Sequence, residues 1–320
     1  MADAQVAVLM AAWNAEATLE RAVDSALAQT VPVEVVIVDD ASTDGTATLA
    51  ERLAERDGRI RVLRQKINRG PSAARNAALA ESRAPWVTTL DSDDFMEPGR
   101  LARLLDVAGA ESADFVADDL YKVSEEDPAG PRSRMWSDTD FGRIIVSPAM
   151  FVEGNLSSRH GGRREMGFLK PLMSRPFLER FGITFDPDIR LGEDYVLYAT
   201  ALVNGAVFVL TDPAGYVAVV RPGSLSGWHP TEAHEHLIAA DSRLLARDDL
   251  DPATRRALER HRLEQQKKWA WRRVLDAKKQ KNLGAALAAF KAPPAVVMDL
   301  MGKLWGEIGA RLPGGKKAAR

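Results

Sequence analysis

Between residues 6 and 123, short apolar runs alternate with helical patterns, and this alternation leaves the chain few architectures. VAVLMAA (6–12) reads as a buried strand, with Asn14 after it in the position of a helix N-cap. Leu19, Ala22, Val23, Ala26 and Leu27 then fall on one helical face. VEVVIVD (33–39) is β-branched and almost continuously apolar, and the polar turn DASTDG leads from it into a helix that buries Leu49 and Leu53. The series continues through RIRVLR (59–64), a helix opened by Pro71, the strand WVTTL (86–90), a helix opened by Pro98, and one strand within DFVADDLYKV (114–123). Such alternation predicts a parallel sheet covered by helices on both faces. Ligands of these sheets sit beyond the carboxyl ends of the strands, so Asp39 and Asp40 are expected on the same rim as Asp91 and Asp93.

The rhythm breaks at 124–165, which is rich in Asp, Glu, Arg, Ser, Gly and Pro and ends in SSRHGGRRE; it reads as a mobile insertion. Order resumes at 166, and a second acidic pair, Glu193 and Asp194, opens an apolar helix. After the turn-rich RPGSLSG (221–227) the sequence is mainly helical to its end. With 320 residues, 46% of them hydrophobic, there is core material for one large or two modest domains. The expected division is 1–228 (a nucleotide-binding half to about 123, the insertion 124–165, an acceptor half 166–228) followed by a basic helical extension, 229–320.

The absence of cysteine excludes disulfides, thiolate zinc sites and cysteine nucleophiles, so any metal must be held by oxygen or imidazole. No run of about 18 apolar residues is present, and MADAQVAVLM lacks the features of a secretory signal, which predicts a cytoplasmic chain. The net charge of −2 hides an asymmetry: residues 255–320 carry 17 Lys or Arg against 5 Asp or Glu, a net of +12. That segment is either a contact for an anionic partner, a membrane surface at the inner face of the cell membrane above all, or a solvated basic helix face. It contains Trp269 and Trp271 but no nucleic-acid-binding module, so no nucleic acid is expected. In AALAAFKAPPAVVMDLMGKLWGEIGARL, the spacing of Val297, Leu300, Met301, Leu304 and Ile308 predicts one apolar helical face.

The most demanding feature chemically is LDSDD, with Asp91, Asp93 and Asp94 inside four residues. Unit charges ~4 Å apart interact by about 1 kcal/mol in water and about 4 kcal/mol at the effective dielectric of a protein surface. Like charges so placed push one acid to protonate, whereas a hard divalent cation keeps them all ionised. The alternative is a helix cap near Pro98 with the remaining carboxylates hydrated.

Taken in order, AAWNAEATLERAVDSALAQT, VDDASTDGT, NRGPSAARNAAL, LDSDD and GEDYVL resemble the family-2 glycosyltransferases over residues 5–120 and 166–227, about half the chain. The resemblance implies the GT-A fold, an α/β architecture whose mostly parallel sheet is flanked by helices, here with a helical C-terminal extension. It also implies sugar transfer from a nucleotide donor. By the same resemblance, Ala12 and Trp13 lie at the nucleotide, with the Trp13 ring stacking on the base or else serving as a core aromatic. Asp39 and Asp40 accept hydrogen bonds from the base and orient the ribose, or cap the following turn. Asn68 and Arg75 belong to the base-contacting loop, although a surface salt bridge also accounts for Arg75. Gly70 and Pro71 are conformational.

The resemblance gives Asp91 and Ser92 to the donor and makes Asp93 the principal ligand of Mn²⁺ or Mg²⁺, with Asp91 the other metal candidate and Asp94 structural. Asp194 stands where the family keeps its base, with Glu193 in reserve; both also suit the positive end of a helix. Arg221 and Ser224 fall in the polar loop near the diphosphate, and His229 and His160 are weaker candidates for metal and acceptor. The expected reaction is metal-dependent, inverting transfer from a UDP-sugar to a saccharide or lipid-linked saccharide in polysaccharide biosynthesis. A silent nucleotide-sugar-binding module lacks the need for a base, which GEDY supplies. A receiver-like signalling domain fits VVIVDD alone.

Overall fold

The computed structural model describes residues 3–157, 165–221 and 230–309. The chain divides into two compact units, Met1–Ser224 and Leu225–Arg320.

The first unit starts β1 (Val6–Ala12), α1 (Leu19–Leu27), β2 (Val33–Asp39), α2 (Thr46–Arg56), β3 (Ile60–Arg64), α3 (Pro71–Glu81) and β4 (Trp86–Thr89). It continues with β5 (Phe95–Met96), α4 (Arg100–Glu111), β6 (Phe115–Asp118), β7 (Tyr121–Ser124), β8 (Ser133–Arg134), β9 (Arg143–Ile145) and α5 (Pro148–Glu153). Last come β10 (Leu172–Ser174), α6 (Arg175–Phe181), α7 (Glu193–Val203), β11 (Phe208–Thr211) and β12 (Tyr216–Val220). The main sheet has the order β3-β2-β1-β4-β10-β6-β11-β9, and a smaller one has the order β5-β12-β7-β8.

Strands β1 to β4 pair in parallel, as do β6 and β11, while β10 is antiparallel to both of its neighbours. Two reversals cancel, so β4 and β6 point the same way. The carboxyl ends of β1, β2, β4, β6 and β11 therefore share one rim, and so does the amino end of β10. Val6–Met10 and Val35–Val38 are fully buried, as continuous apolar strands covered on both faces must be. Around β6, Phe115, Phe151, Tyr198 and Phe208 form an aromatic core with mostly edge-on contacts.

Three local expectations change. Asn14 is not an N-cap: it takes φ 50° in a loop, its Oδ1 accepts from the Thr43 N–H (2.8 Å), and α1 begins only after Thr18. DFVADDLYKV is two strands in different sheets, because Asp118 and Asp119 interrupt it. Asp118 is buried, takes hydrogen bonds from Arg100 and from the Ala214 and Tyr216 N–H groups, and so bolts the smaller sheet to the larger. Segment 124–157 is built into the unit: β9 pairs with β11 at the sheet edge, β8 pairs with β7, and α5 buries Phe151 and Val152. Strands of two or three edge residues are too short to display a periodicity, which is why the segment read as an insertion.

In the second unit, α8 (Thr231–Leu245) and α9 (Pro252–Lys279) pack through Leu237, Ala240, Leu244, Ala257 and Leu258. A buried polar chain runs between them: Asp241 to His261 (2.7 Å), His261 to Gln265 (3.1 Å) and Gln265 to His234 (2.8 Å). Helices α10 (Leu283–Ala288) and α11 (Pro294–Gly309) follow. Val296 and Leu300 are the buried anchors of α11, whereas Met301, expected on that face, is exposed with Met298 and Trp305. The side chain of Ile308 lies outside the described residues.

Candidate active site

The three carboxylates of LDSDD meet three different fates. Asp91, just past β4, is held on both oxygens: Oδ1 accepts from Arg75 (2.7 Å) and Oδ2 pairs with Lys170 (3.0 Å). Burial alone would raise its pKa, but the charges of Lys170 and Arg75 outweigh that and hold it well below the usual carboxylate range. Asp94 is buried, with Oδ2 accepting from the Tyr216 hydroxyl (2.8 Å) and Oδ1 from the Val219 N–H (2.8 Å). Burial, with Asp91 and Asp93 nearby, pushes it up to about 8. It ties β12 to the rim and is structural. Asp93 remains, its side chain 38% exposed and its carboxylate 3.6 Å from Arg221, while Arg21 donates to its backbone carbonyl (2.6 Å). Burial and the charge of Asp91 raise its pKa, and Arg221 offsets only part of this. The crowding is thus relieved by cations at Asp91 and by desolvation at Asp94, which leaves Asp93 as the carboxylate open to a ligand.

The second acidic pair enters the same cluster. Glu193 and Asp194 form the first turn of α7, after Gly192 at φ 85°. Glu193 Oε1 accepts from Arg75 (2.6 Å); Asp194 Oδ1 accepts from Arg75 (3.2 Å) and Oδ2 from Lys170 (2.8 Å). Burial raises the Glu193 pKa against the opposing pull of Arg75. For Arg75 and Lys170, burial disfavours the charge, yet the surrounding carboxylates, Asp194 foremost, drive both pKa values up. Two buried cations thus knit together three carboxylates from two distant motifs.

The NRGPSAARN motif explains how those motifs meet. Ser72, Arg75 and Asn76 lie on one face of α3, as residues three and four apart do. Ser72 Oγ donates to the Ile189 carbonyl (2.5 Å), and Asn76 exchanges two hydrogen bonds with the Phe185 backbone (2.7 and 2.9 Å). Arg75 was expected at the nucleotide base; here it is buried and clamps 185–194 to the rim. Gly70, at φ 87°, brings the loop against Arg190, whose guanidinium donates to the Asn68 side chain and carbonyl (both 3.2 Å). Asn68 donates to the Asp40 carbonyl (3.2 Å).

The remaining candidates border this cluster along the rim. Asp40 accepts from the Arg69 and Gly70 N–H groups (2.8 Å each), and Asp39 accepts from the Ser42 N–H (3.4 Å). Both carboxylates therefore hold loops as well as facing the rim. Ala12 is buried, with its carbonyl accepting from the Asp40 N–H (2.8 Å), while Trp13 is 52% exposed and so is no core aromatic. Ser92 is half-buried between Asp91 and Asp93. Arg221 bridges Asp93 and Glu125 (3.1 Å). His160, Ser224 and His229 lie outside the described residues.

A family model, Glycosyl transferase family 2, matches residues 7–170, more than half of the chain. The chain belongs to this family. It is 41% identical over 301 residues to the succinoglycan biosynthesis protein ExoU of Rhizobium meliloti (strain 1021), covering 94% of this chain and 87% of the relative. Identity to the succinoglycan biosynthesis protein ExoO of the same organism is 36% over 298 residues, covering 92% and 83%. The fold is similar to that of S. aureus TarS 1-349 in complex with UDP-GlcNAc, with a TM-score of 0.65 at 17% identity over 90% of both chains. It is also similar to the mannosyltransferase PcManGT from Pyrobaculum calidifontis in complex with GDP-Man and Mn²⁺, with a TM-score of 0.57 at 20% identity over 95% of this chain and 80% of that one. The protein is a glycosyltransferase with the GT-A fold.

For the cation of a family-2 enzyme, the donor set is small. Among the described residues no cluster of three or more His, Asp or Glu is arranged to hold a metal. A Mg²⁺ or Mn²⁺ ion shared with a diphosphate needs only one or two carboxylates, the rest of its shell being phosphate oxygen and water. Asp93 fits that requirement, whereas both oxygens of Asp91 are already engaged by Arg75 and Lys170.

Lys170 lies in no motif, and sequence reading missed it. Its signal is a lone cation inside the apolar run FLKPLM, since a lysine in such a run must be paired. The reversed direction of β10 sets its place: Met173 pairs with Val87, so the residues before β10 run towards Asp91. Exchange of Lys170 for methionine removes the buried cation from Oδ2 of both Asp91 and Asp194 and leaves Arg75 alone to offset three carboxylates, and the expected loss is about 3–5 kcal/mol of folding stability. Urea unfolding of Lys170→Met against Lys170→Arg measures it; equal midpoints for wild type and Lys170→Met would show that the pairing contributes nothing.

Proposed function

We propose that this glycosyltransferase moves a sugar from a nucleotide donor, with UDP as the nucleotide, to a hydroxyl of a saccharide or lipid-linked saccharide acceptor in polysaccharide assembly. The transfer inverts the anomeric centre and depends on Mg²⁺ or Mn²⁺. One observation carries the reading: Arg75 and Lys170 join the LDSDD and GEDY carboxylates into one cluster, at the rim where an α/β sheet binds its ligand. Further support comes from the succinoglycan names of the relatives and from the UDP-GlcNAc, GDP-Man and Mn²⁺ of the similar structures.

In this reading Asp93 holds the cation, which when bound neutralises charge on the departing nucleoside diphosphate. Trp13 stacks on the base, and Asp39, Asp40 and Asn68 line its edge. Arg221 lies beside Asp93 to receive phosphate oxygens. Asp194 takes the proton of the acceptor hydroxyl while that oxygen attacks the anomeric carbon opposite the diphosphate, and the single displacement inverts the centre. Its oxygens are occupied by Arg75 and Lys170, yet each carboxylate oxygen has a second lone pair for the hydroxyl. A silent binding module would not require an acidic pair buried against two cations. Thermal shift and donor hydrolysis across UDP-, GDP- and dTDP-sugars, with and without Mn²⁺, test the proposal, since a bound ligand raises apparent stability. No response to any donor would sink it.

The second unit supplies a partner surface. Leu283, Leu287, Phe290, Met298, Met301 and Trp305 are all exposed within α10, α11 and the turn between them, in a segment, 255–320, whose net charge of +12 comes mainly from α9 and the residues after 309. No helix among the described residues is long and apolar enough to cross a membrane, which makes peripheral contact with an anionic bilayer the fitting mode. Trp305→Glu with Met301→Glu is expected to abolish co-sedimentation with anionic liposomes at low salt without lowering the melting temperature. Unchanged co-sedimentation would exclude this surface.

A further inference from the structure

A wide-mouthed hollow of about 530 Å³ lies between α5 and the loop that carries Trp136, lined among others by Trp136, Ser147, Met150, Glu153 and Met166. Nothing in the donor reading uses it. Its position is fixed from two sides. On one, Asp119 at the end of β6 accepts from the N–H groups of Trp136 (2.8 Å) and Ser137 (3.0 Å), and the Phe141 ring meets the indole edge-on at 4.8 Å. On the other, α5 carries Met150 and Glu153 and is seated by Phe151, whose ring stacks on Tyr195 at 5.8 Å and 13°. Tyr195 directly follows Asp194. Met166 forms the buried floor, and Gly167 after it passes so close to Tyr195 that an added Cβ would lie 3.3 Å from the Tyr195 Cβ.

We propose that this cavity is an acceptor subsite that binds one sugar residue of the saccharide, with the Trp136 indole as platform and Glu153 as hydroxyl partner. A pyranose is amphipathic, with C–H groups on its faces and hydroxyls around its edge. The cavity offers matching groups: a half-exposed indole with two methionines, and, at the two ends of α5, the Ser147 hydroxyl and the Glu153 carboxylate. Its volume falls within the ~300–1,000 Å³ typical of ligand sites. Because α5 is keyed to α7 through Phe151 and Tyr195, a sugar held here is held in register with Asp194.

The subsite rests on the proposed function, and its test separates the two. Saturation-transfer NMR is run with methyl β-glucoside, methyl β-galactoside and methyl α-mannoside on the full chain, with UDP and Mn²⁺ present. Wild type is expected to bind at least one glycoside, Trp136→Ala to bind it about tenfold more weakly, and Trp136→Phe to recover most of the loss. Glu153→Gln should weaken the same glycoside. UDP affinity, measured by calorimetry, should be equal in all four proteins. If UDP binds and the glycoside signal is absent from wild type or survives Trp136→Ala unchanged, the subsite is wrong and the donor reading stands. If UDP itself fails to bind wild type, both fall.

Discussion

Alanine at Asp93 is expected to eliminate sugar transfer while leaving the fold intact. Asp91 is locked between Arg75 and Lys170, and Asp94 is buried against Tyr216 and the Val219 N–H, so neither can move into the vacated ligand position. Asp93 is half-exposed, and its carboxylate's ion pair among the described residues, with Arg221 at 3.6 Å, is loose, so its loss should not disturb the rim. Changes to groups that merely orient a metal ligand cost 10- to 100-fold in metal affinity, so loss of the ligand itself should weaken Mn²⁺-dependent UDP binding by roughly 100-fold or more. Calorimetry of UDP with and without Mn²⁺ measures this. Equal binding by wild type and Asp93→Ala would remove Asp93 from the metal site.

Asparagine at Asp194 is expected to slow turnover by about 10² to 10⁴ with UDP affinity unchanged. The amide keeps the shape of the carboxylate and can still accept from Lys170, so the cluster should stay assembled, but it cannot take a proton. Glu193 sharpens the comparison. Burial has raised its pKa, which suits a base, yet its Oε1 is committed to Arg75 at 2.6 Å. Single-turnover rates for Asp194→Asn and Glu193→Gln decide between them: a large loss in Glu193→Gln alone would transfer the role to Glu193.

The parts of the fold legible in the sequence were those that repeat. Strands β1, β2 and β4 with helices α2 and α3 followed from apolar periodicity and from Pro71, because each is long enough to display its period and is buried on a predictable face. The split of 114–123 into β6 and β7 was hidden, since a buried Asp118 held by Arg100 looks in the sequence like any acidic strand end. At the site, the acidic residues could be read because crowded charge has few explanations. Their counter-charges could not. Arg75 looked like a ligand contact and Lys170 like nothing at all, because a salt bridge between residues 118 positions apart, as in Arg75 with Glu193, leaves no local trace. The acceptor side was least legible: Trp136 and Glu153 sit in a polar stretch whose two- and three-residue strands carry no pattern.

The reversed strand β10 has a consequence for the order in which the protein comes into being. All the acidic residues of LDSDD, and Arg75, are synthesised before Lys170, and Glu193 and Asp194 after it. Until β10 has threaded between β4 and β6, the nascent chain lacks both the second cation of the cluster and the strand that separates its two parallel halves, and Glu193 and Asp194 have still to join. Contacts of such sequence separation form late, because closing the loop costs entropy before any contact is gained. The nucleotide half should therefore leave the ribosome as a partly assembled sheet with an open edge at β4, and open edges invite pairing with other chains. The step that seals that edge also brings Lys170 to Asp91, so a chain stalled before it would be both inactive and prone to aggregate.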